Sequence, residues 1–596
     1  MIPHSESFIS TCFDYIIVGG GTAGLALATR LSEDPSVSVG VIEAGDWHPN
    51  LDRINLPGLC GSLVGDVQYD WAFTSVPQSN LNNRQIDQPR GKGLGGSSMM
   101  NLLALTRAAA CEYDALEVLG NPGWNWHEIL EYMKKSESTV SPPQGHTMEY
   151  SLAPFDSRWH GESGPIAKSY PTYFNSLHKA FVATLEHLGV PRNPDPASVI
   201  TIHQLYYVLT SISATAELFG QRVLRALIVF KSGGTPLVAT GVEFIKCETT
   251  YMATCRREVV LSAGSFQTPK LLELSGLGNK EVLSQHGIDT LLHLPGVGEN
   301  LPSAEDHLFV TTIHEIDAKY NTLDVVEGPE TLPDSEPKAY LASPPTALFG
   351  FLPAQAFMED EQRNEWKALA TATAQNAPPG LKKQVKLQIE WFEDHSVAEG
   401  EVIPFPGFFR LSGLKPEPNK RYSSMVATSM HPLSRGSTHI ASPDPTAPPR
   451  IDPSEIMHHI RYLAQTVTAA AEYLSNPADL PVLAAVLKFV LKAYRTEPLE
   501  EAVRKQVAPS IEESASDEAL AEYVKNTCAS SYHPLGTAAM LPFEDGGVVG
   551  PDLRIHGTAN LRVADASILP MQLSAHTQAT VYAIAEKAAG IIKSAM

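Results

Sequence analysis

Six cysteines are few for 596 residues, and Cys12, Cys60, Cys111, Cys247, Cys255 and Cys528 are scattered, with no C-x-x-C. That pattern argues against a disulfide framework and a thiolate zinc site, so reduced thiols and no metal are expected. Positive charge is also short. Lys and Arg number 44 against 66 Asp and Glu, a net charge of −22. An acidic surface repels nucleic acid and anionic lipid, and no basic run argues otherwise. No apolar stretch is long enough to span a bilayer. Met1 to Phe13 lacks a charged region followed by an apolar run, and Lys593-Ser594-Ala595-Met596 carries no prenylation or peroxisome signal. The expectation is a cytoplasmic protein with neither nucleic-acid nor membrane partners. There is no internal repeat, and the length calls for two or more domains.

What is present is organised around Asp14 to Gly24. Tyr15 to Val18 reads as a buried parallel strand. Gly19, Gly21 and Gly24 follow with the spacing G-x-G-x-x-G, and Ala23 to Ala28 continues as a helix. One glycine permits the tight turn, one lets backbone approach a pyrophosphate, and one lets helix pack on strand. The helix N-terminus offers N–H groups to phosphates. The second strand, Val37 to Glu43, ends on an acid 19 residues past Gly24, where a carboxylate meets ribose hydroxyls. Together these predict a dinucleotide-binding unit.

Gly91 to Asn101 is rich in glycine and serine. It reads as a backbone-lined ligand loop or as a surface linker; its apolar exit, Met99 to Leu105, suggests a buried helix and favours the first. Helices are predicted over Trp124 to Lys135, Tyr173 to Leu188, Thr268 to Leu274, Ile456 to Leu474, Pro481 to Tyr494, Asp517 to Thr527 and Thr580 to Ile592. Strands are predicted over Val223 to Phe230, Leu237 to Cys247, Glu258 to Ser262, Lys386 to Phe392, Met425 to Met430, Gly436 to Ser442 and Leu561 to Asp565. Ser138 to Ser169 and Asp317 to Pro345 read as polar excursions. The middle therefore has antiparallel character between two nucleotide-type ends that share one domain.

Six stretches in order resemble the glucose-methanol-choline flavoprotein oxidoreductases. They are the glycine fingerprint with Glu43, Gly91 to Asn101, Gly264 to Gly278, Pro295 to Leu301, Tyr532 to Thr537, and Leu561 to Lys587. The sequence is most similar to the fungal aryl-alcohol-oxidase-like and secondary-metabolism dehydrogenase branch. The resemblance implies an α/β fold: a discontinuous Rossmann-like FAD-binding domain (12–120, 217–305 and 530–596) and an α+β substrate domain with an antiparallel sheet (121–216 and 306–529). It implies FAD. Gly19, Gly21, Thr22, Ala23 and Gly24 would hold the pyrophosphate and Glu43 the adenosine ribose. Gly95, Ser98 and Asn101 would lie along the flavin and ribityl chain, Val223 would touch the adenine through its backbone, and Asp565 and Thr577 would meet the pyrophosphate or isoalloxazine. Some members attach FAD through a His before the loop Asn; Met100 stands here, so the flavin is expected to be non-covalent.

The resemblance also implies a catalytic pair, His533 and His576. Alcohol oxidation removes a hydroxyl proton and passes a hydride to flavin N5, with oxygen or another acceptor closing the cycle. A neutral imidazole with a free pKa near ~6.5 can take that proton. Tyr532 reads equally as an aromatic wall of the substrate pocket or as packing. Ser574 could donate to a substrate or serve the backbone. The expected activity is oxidation of a primary, aryl or allylic, small-molecule alcohol to the aldehyde. The alternative is a non-redox lyase or cyclase on the same FAD scaffold. Two departures stand out: Leu209 to Leu218 is compressed, which suggests a more open flavin side, and Pro302 to Glu305 interrupt the family's Asn-Leu-x-Asp-His run before Asp306-His307.

Overall fold

The structure, a computed structural model, describes residues 5–140, 156–169, 174–193, 203–204, 207–210, 217–220, 223–231, 234–246, 249–302, 307–325, 343–346, 348–409, 414–452 and 473–595. Its first sheet grows from β1 (Cys12–Val18), which is buried at every residue after Cys12. A strand covered on both faces needs the continuous apolar run that Tyr15 to Val18 supplies. Helix α1 (Thr22–Leu31) leads to β2 (Val39–Glu43), and Ile16 and Ile17 pair in parallel with Gly40 and Val41. On the other side β3 (Thr249–Leu261) sets Val259 and Val260 beside the same two isoleucines, then turns through 262–263 into α2 (Gly264–Leu274). Glu217–Gly220 extends the sheet beyond β2, and Ala239–Lys246 and Val223–Phe230 extend it antiparallel beyond β3.

The second sheet is antiparallel. Its centre is β4 (Leu308–Ile316), and its other main strands are β5 (Gly400–Phe405) and β6 (Arg421–Ser429), in the order β4, β6, β5. Val503–Ala508 flanks β4, and Leu348–Leu352 flanks β5. Helix Asp479–Ala493 lays Val486 and Val490 against Met425 and Ala427 in a core of their own. The chain then returns: β7 (Leu561–Val563) pairs in parallel with β3, and the helix Gln578–Ser594 packs on α1. Ile16, Val41, Val260, Leu561 and Ala585 thus share one core.

Some predicted elements differ. Lys386 to Phe392 is not a strand but part of a helix, α3 (Pro379–Glu393). Its buried Gln384, Gln388 and Trp391 recur at helical spacing, and Pro379 opens the helix at a position where a missing N–H costs nothing. Met99 to Leu105 is not a helix. A 3-10 turn spans Gly96–Met99, and Leu103 has φ +63, a left-handed conformation that ends any helix. Asn101 Oδ1 accepts from Leu103 N at 3.0 Å, a local bond that competes with helical pairing. The helix over Tyr173 to Leu188 begins at His178, and α2 begins four residues earlier than predicted. The helix over 456–474 lies almost wholly outside the described residues, as do 211–216 of the compressed segment and 303–306 of the interrupted run. Among the described residues no helix is long and apolar enough to cross a membrane.

Candidate active site

A cavity of about 1850 Å³ runs from the first sheet to the second. An ordinary small-ligand pocket holds about 300–1,000 Å³, so this one has room for a dinucleotide and a second molecule. Its floor is the glycine turn after β1. Gly19 sits at φ +106, and a Cβ there would lie 2.3 Å from the Ser262 carbonyl oxygen. A Cβ on Gly24 would lie 1.9 Å from the Gly19 carbonyl oxygen, so helix and turn can meet only through glycine. Gly21 differs: its nearest neighbour would be Gly96 Cα at 3.7 Å, and it lines the cavity with Thr22 and Ala23 at the N-terminus of α1. Gly24 lies beneath, away from the cavity wall.

The second glycine loop docks on the first. Gly95 N donates to Gly20 O at 2.9 Å, and Gly95 itself is not on the wall. Ser98 Oγ donates to Gly95 O at 2.6 Å, and Asn101 Nδ2 donates to Gln578 Oε1 at 2.8 Å; both residues line the cavity. Glu43, at the end of β2, is buried on the same wall and accepts from Gly20 N at 2.8 Å and Gly45 N at 2.9 Å. Burial pushes its carboxyl pKa up, against those backbone donors. Asp565 faces the cavity, but its oxygens are taken: it accepts from Gly264 N, Thr268 Oγ1, Ser567 N and Ser567 Oγ. It caps α2 and fixes the turn after β3. Thr577 lines the cavity just before the C-terminal helix. Val223 opens its strand at the edge of the first sheet; its side chain lies outside the described residues.

His533 and His576 meet on the cavity wall, with His576 Nδ1 3.2 Å from His533 Nε2. Each has a second partner that the sequence did not disclose. His533 Nδ1 stands 3.1 Å from Nδ1 of His307, and His576 Nε2 stands 3.0 Å from Oε1 of Glu401 on β5. Burial lowers the His533 pKa well below 6.5, and the neighbouring His576 and His307 rings and the Arg90 guanidinium push the same way. Arg90 also donates to the carbonyl of Tyr532, a cavity residue held at φ +68. Ser574 serves the protein: its N and Oγ both donate to the buried Glu112 carboxylate. Glu112 in turn faces His431 Nε2 at 3.1 Å, and Glu399 Oε1 faces His431 Nδ1 at 3.0 Å. Beyond the histidines the cavity is aromatic. Phe309, Phe349, Phe405, Phe408 and Phe409 line it, and Phe349 meets His576 edge-on with centroids 5.0 Å apart.

Family models of GMC oxidoreductases match the chain over residues 13–200 and 207–308 with their N-terminal part and over 432–585 with their C-terminal part. This chain belongs to the GMC oxidoreductase family. The oxidoreductase is 34% identical over 637 aligned residues to the dehydrogenase mpl7 of Monascus purpureus, covering 98% of this chain and 97% of that one. It resembles an FAD-dependent oxidoreductase from Chaetomium thermophilum, with a TM-score of 0.84, 28% identity and coverage of 98% and 99% of the two chains. It also resembles a fungal aryl-alcohol oxidase, with a TM-score of 0.78, 27% identity and coverage of 98% and 99%.

The cofactor of the oxidoreductase is FAD. The residues present fit that group. The floor at Gly21 is open where a pyrophosphate needs space, Thr22 and Ala23 at the N-terminus of α1 line the cavity with it, and the buried Glu43 is on the same wall.

Proposed function

We propose that this oxidoreductase oxidises a primary alcohol, aryl or allylic, to its aldehyde. The observation that carries the reading is the contact of His533 with His576 at 3.2 Å, on a cavity wall between the glycine cradle and the aromatic end. Bound FAD supplies the hydride acceptor. His533 takes the hydroxyl proton on Nε2, the ring nitrogen on the His576 side. His576, tethered to Glu401, holds the alcohol oxygen in place, and the phenylalanines exclude water and receive an apolar or aromatic substituent. The cofactor-contacting set is Gly19, Gly21, Thr22, Ala23, Glu43, Ser98, Asn101 and Thr577, with Gly24, Gly95 and Asp565 shaping the turns beneath it. Met100 on the cavity wall has no imidazole to link, so FAD is held without a covalent bond. Residues 12–120, 217–305 and 530–596, built around the first sheet, form the cofactor domain, and 121–216 with 306–529 forms the substrate domain.

Support comes from the likeness to an aryl-alcohol oxidase and from the aromatic lining. The test is anaerobic mixing of the yellow protein with benzyl, 4-methoxybenzyl and cinnamyl alcohols. Bleaching of the flavin absorbance with stoichiometric aldehyde is the expected result. A chromophore unmoved by every alcohol would point to the non-redox lyase or cyclase reading. Acid precipitation should leave the polypeptide colourless; yellow colour remaining with the pellet would contradict non-covalent FAD.

A further inference from the structure

His307 is fully buried and is not on the cavity wall, yet it touches the ring proposed as the base. Its own ring is held from behind. Nε2 lies 2.8 Å from the carbonyl oxygen of Leu573, and a carbonyl only accepts, so that nitrogen carries a hydrogen. The Gln572 amide nitrogen stands 3.1 Å from the same nitrogen and its oxygen has no partner, so turning the amide over exchanges a donor–donor contact for an acceptor on that hydrogen. Burial keeps His307 neutral, its pKa lowered to about 3. A neutral ring protonated on Nε2 has a lone pair on Nδ1. That lone pair faces His533 Nδ1 at 3.1 Å, where a second lone pair would repel it. His533 therefore carries its hydrogen on Nδ1, and its Nε2 lone pair is matched on the other side only if His576 carries hydrogens on both ring nitrogens, Nδ1 toward His533 and Nε2 toward the Glu401 carboxylate.

We propose that His307, oriented by the Leu573 carbonyl, is a positioning residue that fixes His533 in the Nδ1-protonated tautomer, leaving Nε2 as its basic atom. The consequence rests on the reading of His533 as the base; the tautomer assignment does not. A carboxylate in the place of His307 would set the same tautomer and would also hold a proton gained by His533. A neutral imidazole holds it less.

The test is nitrogen NMR of the oxidised holoenzyme with ¹⁵N-labelled histidine, with no substrate present. The His533 signal is the one missing in His533→Asn. A neutral Nδ1–H pattern at pH 7.5 is expected; an Nε2–H or doubly protonated pattern overturns the proposal. His307→Asn keeps a carbonyl acceptor and should retain the pattern, whereas His307→Leu should mix the tautomers. With an alcohol that wild type oxidises, His307→Leu should slow anaerobic flavin reduction by roughly 100-fold or more at little change in KM, because a base in the wrong tautomer cannot accept. His307→Asn should recover most of that loss. Equal losses in both variants, together with lost flavin, would show that His307 only packs and would overturn the proposal. If no alcohol bleaches the wild type but the Nδ1–H pattern holds, the tautomer assignment stands and the proposed reaction fails.

Discussion

Around His533, burial, the His576 and His307 rings and the Arg90 guanidinium all disfavour a positive charge. Glu401 is the nearest carboxylate in this chain of contacts, one ring away beyond His576. The ring therefore stays neutral at neutral pH, and the acid limb of flavin reduction should fall well below pH 6.5 rather than at the ~6–7 expected of a free imidazole. A stopped-flow profile between pH 5 and 8 that is flat above pH 6 would agree; a midpoint near 6.5 would not. His533→Asn should lower anaerobic flavin reduction by about 100- to 10,000-fold while leaving FAD bound, because the glycine turns hold the cofactor. His576→Asn should cost less, since an amide still orients the alcohol. Glu401→Gln keeps a hydrogen-bonding group beside His576 but removes the charge, and its loss in rate should fall between wild type and His533→Asn.

The element that sets the pair is the segment 572–576, fastened at three of its residues. The Leu573 carbonyl receives His307, Ser574 is bound by Glu112, and His576 N donates to Thr106 Oγ1 at 2.8 Å. Glu399 and Glu401, two residues apart, hold His431 and His576 respectively. Glu112→Gln leaves the His431 side of this buried cluster undercompensated, and breaking such a cluster costs about 3–5 kcal/mol. Its urea midpoint should drop accordingly, with the flavin site loosened. At the other end of the cavity, Gly21 has φ near −84 and an open front, so Gly21→Val should fold, with wild-type circular dichroism, yet purify without yellow colour. The difference between these two elements explains what could be read from the chain. The glycine turn with Glu43 is local chemistry, spelled out within 25 residues, and the structure puts it on the cavity wall. Glu401 and His431 carry no motif. Glu401 reaches His576, and His431 reaches Glu112, only because β5 and the segment after β6 pack against residues far along the chain. Lys386 to Phe392 misleads for a related reason: its alternation fits a strand, but Val385, Gln388 and Trp391 also fit one helix face, and only packing decides between them.

Among the described residues, the buried histidines whose pKa is displaced form two sets with opposite pH consequences. Burial lowers His178 to about 4, His307 and His314 to about 3, and His533 well below 6.5. Their contribution is present above the unfolded pKa of about 6.5 and is lost as the pH falls toward about 3. Burial would also lower His431, but Glu399 and Glu112 outweigh it and push the ring up to about 10; Glu273 and Glu299 likewise outweigh burial at His439 and hold it well above 6.5. That contribution is full below about 6.5 and fades as the pH rises toward 10. Urea midpoints of the flavin-free protein should therefore peak near neutrality and fall on both sides; a steady rise from pH 5 to 9 would contradict this balance. Added FAD should raise the unfolding temperature, since a hundredfold excess over Kd contributes about 2.7 kcal/mol to the folded state. The cavity wall also joins Gly19 to His576 and Thr577, positions more than five hundred residues apart, and β7 completes the sheet that β1 begins. During synthesis the cradle at Gly19 emerges long before the walls that close over it. Flavin capture is thus an act of the finished polypeptide, and a cell short of flavin should accumulate full-length, colourless protein awaiting its chromophore.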